Sequence, residues 1–288
     1  MNPIDLHNAH LDAMKAAIDA AKRSQAEDGR AHPKVGAVLL KGGQLLATAF
    51  RGELGSGDHA EYTLFEKKLT GVDVSDATLF TTLEPCTARK HYKSCSEWII
   101  EKKVRHVFIG ILDPNPRIYA QGFTQLKQHG IQVDFFRADL RDEIRRDNAT
   151  FIAQYFANPE LSGEATFNYS LNDGKYTIGH GAFMFETRWA KASDVNIHVY
   201  KDATNVRALR LALGAKSFDD LTGADVYDAS SRVHTPNEGE FIVLENENGH
   251  FAAVQVVDVR DRTRPPDEYD SLTIAYRINT DGTATFRD

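Results

Sequence analysis

Apolar residues in the first half of the chain recur with two periods. Over residues 8–26 they return every three or four positions, which predicts an amphipathic helix. Residues 35–40 and 44–49 are short apolar runs on either side of Gly42-Gly43, and they predict a hairpin. Leu64, Phe65 and Leu69 fall at helical spacing over 59–69, with Asp58 as the expected N-cap. Beyond them, 77–83 predicts a strand and 95–102 a helix. Short strands at 104–110 and 131–136 flank a helix near 122–129, and 138–156 closes the series as a helix. A helix, two strands and then strand-helix units argue for a sheet covered by helices, an α/β arrangement.

The pattern changes after Asn158-Pro159 and Leu161-Ser162-Gly163, whose turn residues set an expected boundary between domains 1–158 and 159–288. Asn172-Asp173-Gly174, Asn248-Gly249 and Asp281-Gly282 each separate β-rich runs. A smaller, mainly antiparallel β domain follows, with one helix expected near 205–213. Residues 183–191 combine aromatic and charged side chains. Arg188 beside Trp189 and Glu186 suits a ligand pocket, and alternating Phe183 and Phe185 suit the inner face of a buried strand; the second reading is favoured.

With 288 residues and 42% hydrophobic content the chain has room for one large or two medium globular domains. It contains no run of eighteen apolar residues and no basic-then-apolar leader, so a soluble, cytoplasmic protein with no membrane association is expected. The net charge of −7 is uneven. Residues 1–158 hold 21 Lys and Arg against 20 Asp and Glu, whereas residues 159–288 hold 13 against 21. Binding a phosphate polymer rests on clustered cations, so an acidic second half argues against a nucleic-acid partner.

Both cysteines fall in the first half, beside a histidine and a spaced carboxylate: His59-Ala60-Glu61, Glu84-Pro85-Cys86 and Cys95. Catalytic zinc takes three imidazole or thiolate ligands and keeps one position open. His59, Cys86 and Cys95 supply three, and Glu61 is placed to move a proton at water activated by Zn2+. Taken singly, each residue also reads as a cap or a small core residue. Their joint order, after a strand and before a helix, favours the metal. Two cysteines committed to a metal leave none for a disulfide, in keeping with a reducing compartment.

These residues resemble the zinc-dependent cytidine deaminase superfamily, whose signature is H-x-E with a later P-C and second cysteine. Thr81-Thr82-Leu83-Glu84-Pro85-Cys86, the eight-residue gap to Cys95, Asp113-Pro114-Asn115-Pro116 and the run from Gly122 to Val133 are similar to the pyrimidine deaminase domain of riboflavin biosynthesis over residues 8–157. The resemblance implies a three-layer α/β/α domain with a mixed sheet, Zn2+ on His59, Cys86 and Cys95, and Glu61 as proton shuttle in a hydrolytic deamination. It also implies a small nucleobase- or nucleotide-type substrate and a homo-oligomer, dimer or larger. The expected substrate-binding residues are His32, Ala60, Arg89, Lys90, Tyr92, Asp113 and Asn115.

Two departures bear on substrate. Where the family reads Ser-His-His-Gly-Arg-Thr-Pro-Pro between the cysteines, this chain has Thr87-Ala88-Arg89-Lys90-His91-Tyr92-Lys93-Ser94, and His32-Pro33 replaces an Asn-Pro. Arg89, Lys90 and Lys93 suit a phosphate and Tyr92 a stacked base, with a solvated basic turn as the plain alternative. Residues 169–174 faintly echo the start of the reductase that often follows in that family. About 130 residues without a Gly-rich phosphate turn argue against one. Two function classes stand: a zinc deaminase of a small aminopyrimidine or related compound, or a binding protein with structural zinc. A nucleotide-metabolising effector gated by the β domain is a third, narrower reading.

Overall fold

The computed structural model describes residues 3–89, 92–263, 267 and 269–287. The chain divides into two compact units, residues 1–113 with 118–154 and residues 114–117 with 155–288.

The first unit runs α1 (Pro3–Ala21), β1 (Gly36–Lys41), β2 (Gln44–Phe50), α2 (Ala60–Tyr62), β3 (Thr78–Leu83), α3 (Cys95–Glu101), β4 (His106–Ile111), α4 (Gln121–Gln128), β5 (Gln132–Phe135), α5 (Ala138–Asp147) and α6 (Ala149–Ala153). Its sheet has the order β2-β1-β3-β4-β5. β1 is antiparallel to β2 and β3, and β3, β4 and β5 are parallel, so the sheet is mixed as expected. α1 packs on β1 and β3 and touches α5, while α2, α3 and α4 touch in succession, which gives the three-layer α/β/α arrangement.

Strand alternation sorts the side chains of β3 between those layers. Phe80 stacks on Phe108 at 4.9 Å under His10 of α1, and the next residue, Thr81, reaches Glu61 of α2. β3 and β4 end at Glu84-Pro85-Cys86 and Asp113, so the chemistry-bearing residues collect at the carboxyl ends of parallel strands, where open α/β sheets place their ligands.

Two expected helices differ. Asp58 is not the N-cap of α2: that position belongs to His59, and the Asp58 carboxylate instead accepts from Lys67 Nζ. α2 then widens into a π-helical stretch, Thr63–Lys68, whose Leu69 N–H reaches Leu64 O at 2.9 Å. The helix expected over 138–156 breaks at Asn148. Its side chain takes the Lys34 N–H at 2.8 Å and gives a hydrogen bond to Ile144 O at 3.0 Å, which pins the break to the strand-entry segment.

The second unit contains β6 (Ala157–Asn158), β7 (Ser162–Phe167), β8 (Lys175–Ile178), β9 (Phe185–Lys191), β10 (Ile197–Tyr200), β11 (Val206–Ala212), β12 (Val233–His234), β13 (Phe241–Asn246), β14 (Phe251–Arg260) and β15 (Ser271–Asn279). They form two five-stranded sheets, β12-β10-β9-β8-β6 and β11-β13-β14-β15-β7. Among the described strands of this unit, only the β6–β8 pair is parallel. One apolar cluster joins Phe185, Trp189 and Val199 of one sheet to Leu244, Val254 and Ile274 of the other, a β-sandwich core. A second cluster covers the far face of β13 and β14, where Phe241 and Val243 meet Leu221 and Phe286.

The helix expected near 205–213 is a strand. β11 pairs with β13 through a bulge between Val206 and Ala208, and residues on both of its faces are buried. The bulge and the double burial erase the two-residue alternation, and Ala, Leu and Arg then look helical. Residues 185–191 do form a buried-faced strand: Phe185, Thr187 and Trp189 point inward, with Glu186, Arg188 and Ala190 on the other face. No helix among the described residues is long and apolar enough to cross a membrane.

Candidate active site

The first turn of α2 and the N-terminus of α3 bring the three candidate ligands together. His59 Nδ1 lies 3.4 Å from Cys95 Sγ and 3.6 Å from Cys86 Sγ, and the Cys95 backbone N–H points at Cys86 Sγ at 3.4 Å. All three donor atoms lie within 4.8 Å of one another. Tetrahedral zinc, with Zn–S about 2.3 Å and Zn–N about 2.0–2.1 Å, requires an S···N separation of about 3.6 Å. Donor types and spacing both fit that ion.

Local sequence explains this placement. Ser94 caps α3 through a reciprocal box with Glu97, taking the Glu97 N–H at 3.3 Å while the Ser94 N–H reaches Glu97 Oε2 at 2.8 Å, so Cys95 is fixed as the first helical residue. Ser96 donates from N–H and Oγ to Cys86 O, at 3.1 and 3.0 Å, which ties the Cys86 loop to the same helix end. On the other side of that loop, a Cβ on Gly122 would lie 2.0 Å from Pro85 O, so only glycine lets α4 approach so closely.

The thiols are electrostatically unequal. Hydrogen bonding from Cys95, with help from His59, holds the Cys86 thiol down to about 4. The hydrogen bond given to Cys86 and complete burial hold Cys95 well above the ordinary thiol range. A bound dication ionises a coordinating thiol outright and would replace that shared proton.

Glu61 is 3% exposed. Burial pushes its carboxyl up, opposed by the nearby His59 charge and by Thr81, whose Oγ1 donates to Glu61 Oε1 at 2.8 Å. Thr81 is itself buried in β3, so the carboxylate is fixed by the sheet rather than by a loop.

Glu61, His59 and Cys86 line a cavity of about 260 Å³ together with Pro33, Arg51, Leu83, Glu84, Ala88, Asp113 and Ile118. Ala60 is fully buried at the helix start. Asp113 lies in the wall, and its N–H donates to Glu84 Oε2 at 2.9 Å. His32 stands behind the wall: Nε2 contacts Asp28 Oδ1 at 2.9 Å, and Nδ1 lies 3.9 Å from Glu27, the carboxylate that pairs with Arg51. Asn115 accepts from the Arg117 N–H at 3.1 Å, and the wall does not include it.

Arg89 and Tyr92 border a second, polar cavity of about 370 Å³, which also includes His59 and Ala88. The Arg89 guanidinium lies 5.0 Å from the Tyr62 ring centre and 4.9 Å from that of Tyr92, and its buried Nη1 has no hydrogen-bond partner among the described residues. Lys90 lies outside the described residues.

Three residues of the site carry no role in the sequence reading. Glu84 accepts backbone N–H groups from Asp113, Ala120 and Phe123 at 2.9–3.1 Å and so holds the loop between β4 and α4; burial pushes its carboxyl up against those three donors. Thr81 orients Glu61. Arg51, at the end of β2, lines the cavity with a buried Nε that has no hydrogen-bond partner among the described residues, at a cost of about 1–3 kcal/mol unless a ligand supplies an acceptor. Glu84 and Thr81 lie inside the motif around Cys86, which is a usable signal; nothing in the sequence singles out Arg51.

Residues 7–111 match the cytidine and deoxycytidylate deaminase zinc-binding region. The chain is similar to riboflavin biosynthesis protein RibD of Actinobacillus pleuropneumoniae, at 31% identity over 206 residues, covering 70% of this chain and 51% of that protein. It is similar also to the chloroplastic riboflavin biosynthesis protein PYRD of Zea mays, at 28% identity over 240 residues, covering 81% of this chain and 58% of the relative. The chain therefore spans a little over half the length of these two relatives. Among solved structures, a diaminohydroxyphosphoribosylaminopyrimidine deaminase/5-amino-6-(5-phosphoribosylamino)uracil reductase from Thermotoga maritima aligns with a TM-score of 0.44 at 32% identity, over 52% of this chain and 41% of that one.

Proposed function

We propose, from the membership of residues 7–111 in the zinc-dependent cytidine deaminase superfamily, that this chain is a hydrolytic deaminase. Its substrate is a small aminopyrimidine or a related nucleobase, nucleoside or nucleotide, and it releases ammonia. In this reading residues 1–158 form the catalytic domain, residues 159–288 an accessory β-rich domain, and the protein is a homo-oligomer. The observation that carries the reading is Glu61, a buried carboxylate held by Thr81 in the wall of a cavity shared with His59 and Cys86. A purely structural zinc site has no use for a carboxylate whose burial is costly.

His59, Cys86 and Cys95 would hold zinc, which supplies Lewis acidity and brings the pKa of water in its open position near neutrality. Thr81 engages Oε1 of Glu61 and leaves Oε2 to take a proton from the attacking water. Water adds to the ring carbon that bears the amine. Glu61 passes that first proton to the adjacent ring nitrogen, then takes the second proton from the hydroxyl now on the carbon and gives it to the departing amine; the carbon–nitrogen bond breaks, and the products are a ring carbonyl and ammonia. Asp113 and Arg51 offer polar contacts along the cavity wall, Arg89 with Tyr92 receives a phosphorylated substituent, and the Ala60 backbone, buried at the start of α2 between His59 and Glu61, is assigned to the amine-bearing edge.

Ammonia release by zinc-quantified protein tests the reading across cytidine and adenosine compounds, guanine and the riboflavin aminopyrimidine, each with and without phosphate. Release from one class names the substrate. Silence across the panel with one zinc per chain contradicts the enzyme and favours a binding protein with structural zinc.

A further inference from the structure

The second unit holds a cavity of about 490 Å³, almost twice the volume beside Glu61 and within the range of small-molecule sites. It lies on the outward face of β9 and β10, where Arg188 and Tyr200 stand opposite each other in register. Its lining includes Tyr169, Arg188, Lys191, Tyr200 and Arg232. The floor is rigid: Gly174 has φ +72, and a Cβ there would lie 1.9 Å from Trp189 O, so the turn can close onto β9 only as glycine.

Each cation is held by its own carboxylate. Arg188 Nη2 reaches Asp173 Oδ1 at 3.0 Å, Arg232 Nε reaches both Asp202 oxygens at 2.9 Å, and Lys191 Nζ reaches the fully buried Asp261 at 2.8 Å. The charge of Arg188 also helps Arg232 keep Asp202 below the ordinary carboxylate range, which marks the two guanidinium pairs as neighbours. These pairs fix the cations without exhausting them. The Nη1 groups of Arg188 and Arg232 have no hydrogen-bond partner among the described residues. The Arg188 guanidinium lies 6.0 Å from the centre of the Tyr200 ring. Among residues 159–288, with 13 Lys and Arg against 21 Asp and Glu, three oriented cations around one cavity are a local exception.

We propose that this cavity is a second small-molecule site, which takes a phosphorylated, ring-bearing anion of mononucleotide size. Guanidinium forks suit phosphate oxygens better than point charges do, and a tyrosine ring beside them offers a face to a base. The carboxylates make the cavity close to neutral, so affinity comes from oriented donors and falls with salt. The inference is independent of the deaminase reading and stands even if no ammonia is released.

Because the Trp189 ring is buried in the core and not turned toward the cavity, binding is read by ligand-observed proton NMR. Titration with adenosine and uridine 5′-monophosphates should give a saturable change, matched by calorimetry, that the unphosphorylated nucleosides do not give. Inorganic phosphate should compete. Arg188→Ala with Arg232→Ala should weaken binding at least tenfold with circular dichroism unchanged, and the paired Lys substitutions should weaken it less. The proposal is overturned if neither method detects binding of a monophosphate at millimolar concentration, if the nucleosides bind equally well, or if the folded double Ala variant keeps wild-type affinity.

Discussion

The two cavities are built by opposite means. Beside Glu61, the buried acidic and thiol groups are satisfied from the backbone and from neighbouring hydroxyls, with Thr81 on Glu61, three N–H groups on Glu84, and Ser94 and Ser96 around the cysteines, while Arg51 Nε has no partner among the described residues. Around the cavity of the β unit the apolar side chains of β9 turn inward, while Arg188 and Arg232 stay on the outer sheet face in ion pairs with Asp173 and Asp202, and Asp261 is the fully buried carboxylate among these partners. Burying carboxylates and thiols is expensive, whereas surface ion pairs cost little and contribute little stability. The difference teaches where each cavity has given up stability: the first by burying Glu61, Glu84 and Cys95, the second chiefly at the single carboxylate of Asp261.

The largest effect expected concerns the metal cluster. Cys86→Ala removes one of three ligands and should abolish both zinc content, read by elemental mass spectrometry, and turnover. Trp189→Ala strikes the opposite kind of architecture, a continuous apolar core, and should cost about 3–5 kcal/mol in denaturant unfolding of the β unit while zinc content persists. If zinc is lost with it, the two units are not the separate constructions described above. Gly122→Ala puts a methyl group onto Pro85 O, and overpacking of that kind costs about 1–3 kcal/mol; a lower melting temperature with weaker zinc retention checks it. Smallest is Arg89→Ala, which should raise KM about tenfold, or about 1.4 kcal/mol, for phosphorylated substrates alone. An equal rise for nucleosides removes the phosphate role.

The same contrast governs what the sequence reveals. His59, Glu61 and Cys95 are legible because they sit at helix starts, and Cys86 because it follows the end of β3, with imidazole and thiolate the ligand types that suit zinc. The mixed sheet follows from clear periods of apolar residues, and the β-rich second half from its turns. β11 is illegible because a bulge and burial on both faces remove its alternation, leaving a run of Ala, Leu and Arg. The break at Asn148 depends on a hydrogen bond to Lys34, 114 residues away, which no local pattern contains. Arg51 joins the cavity through the end of β2 and its pairing with Glu27, so its part in the site is visible only in three dimensions.

The central claim is that Glu61 moves protons in a site whose metal it does not hold. Zinc content and ammonia release measured together on Glu61→Ala test it most directly, using the substrate that the wild-type protein turns over. General acid–base groups contribute about 10²–10⁴-fold, so the variant should keep one zinc per chain and lose turnover by at least the lower figure. A fully active Glu61→Ala protein, or one that loses its zinc, contradicts the account.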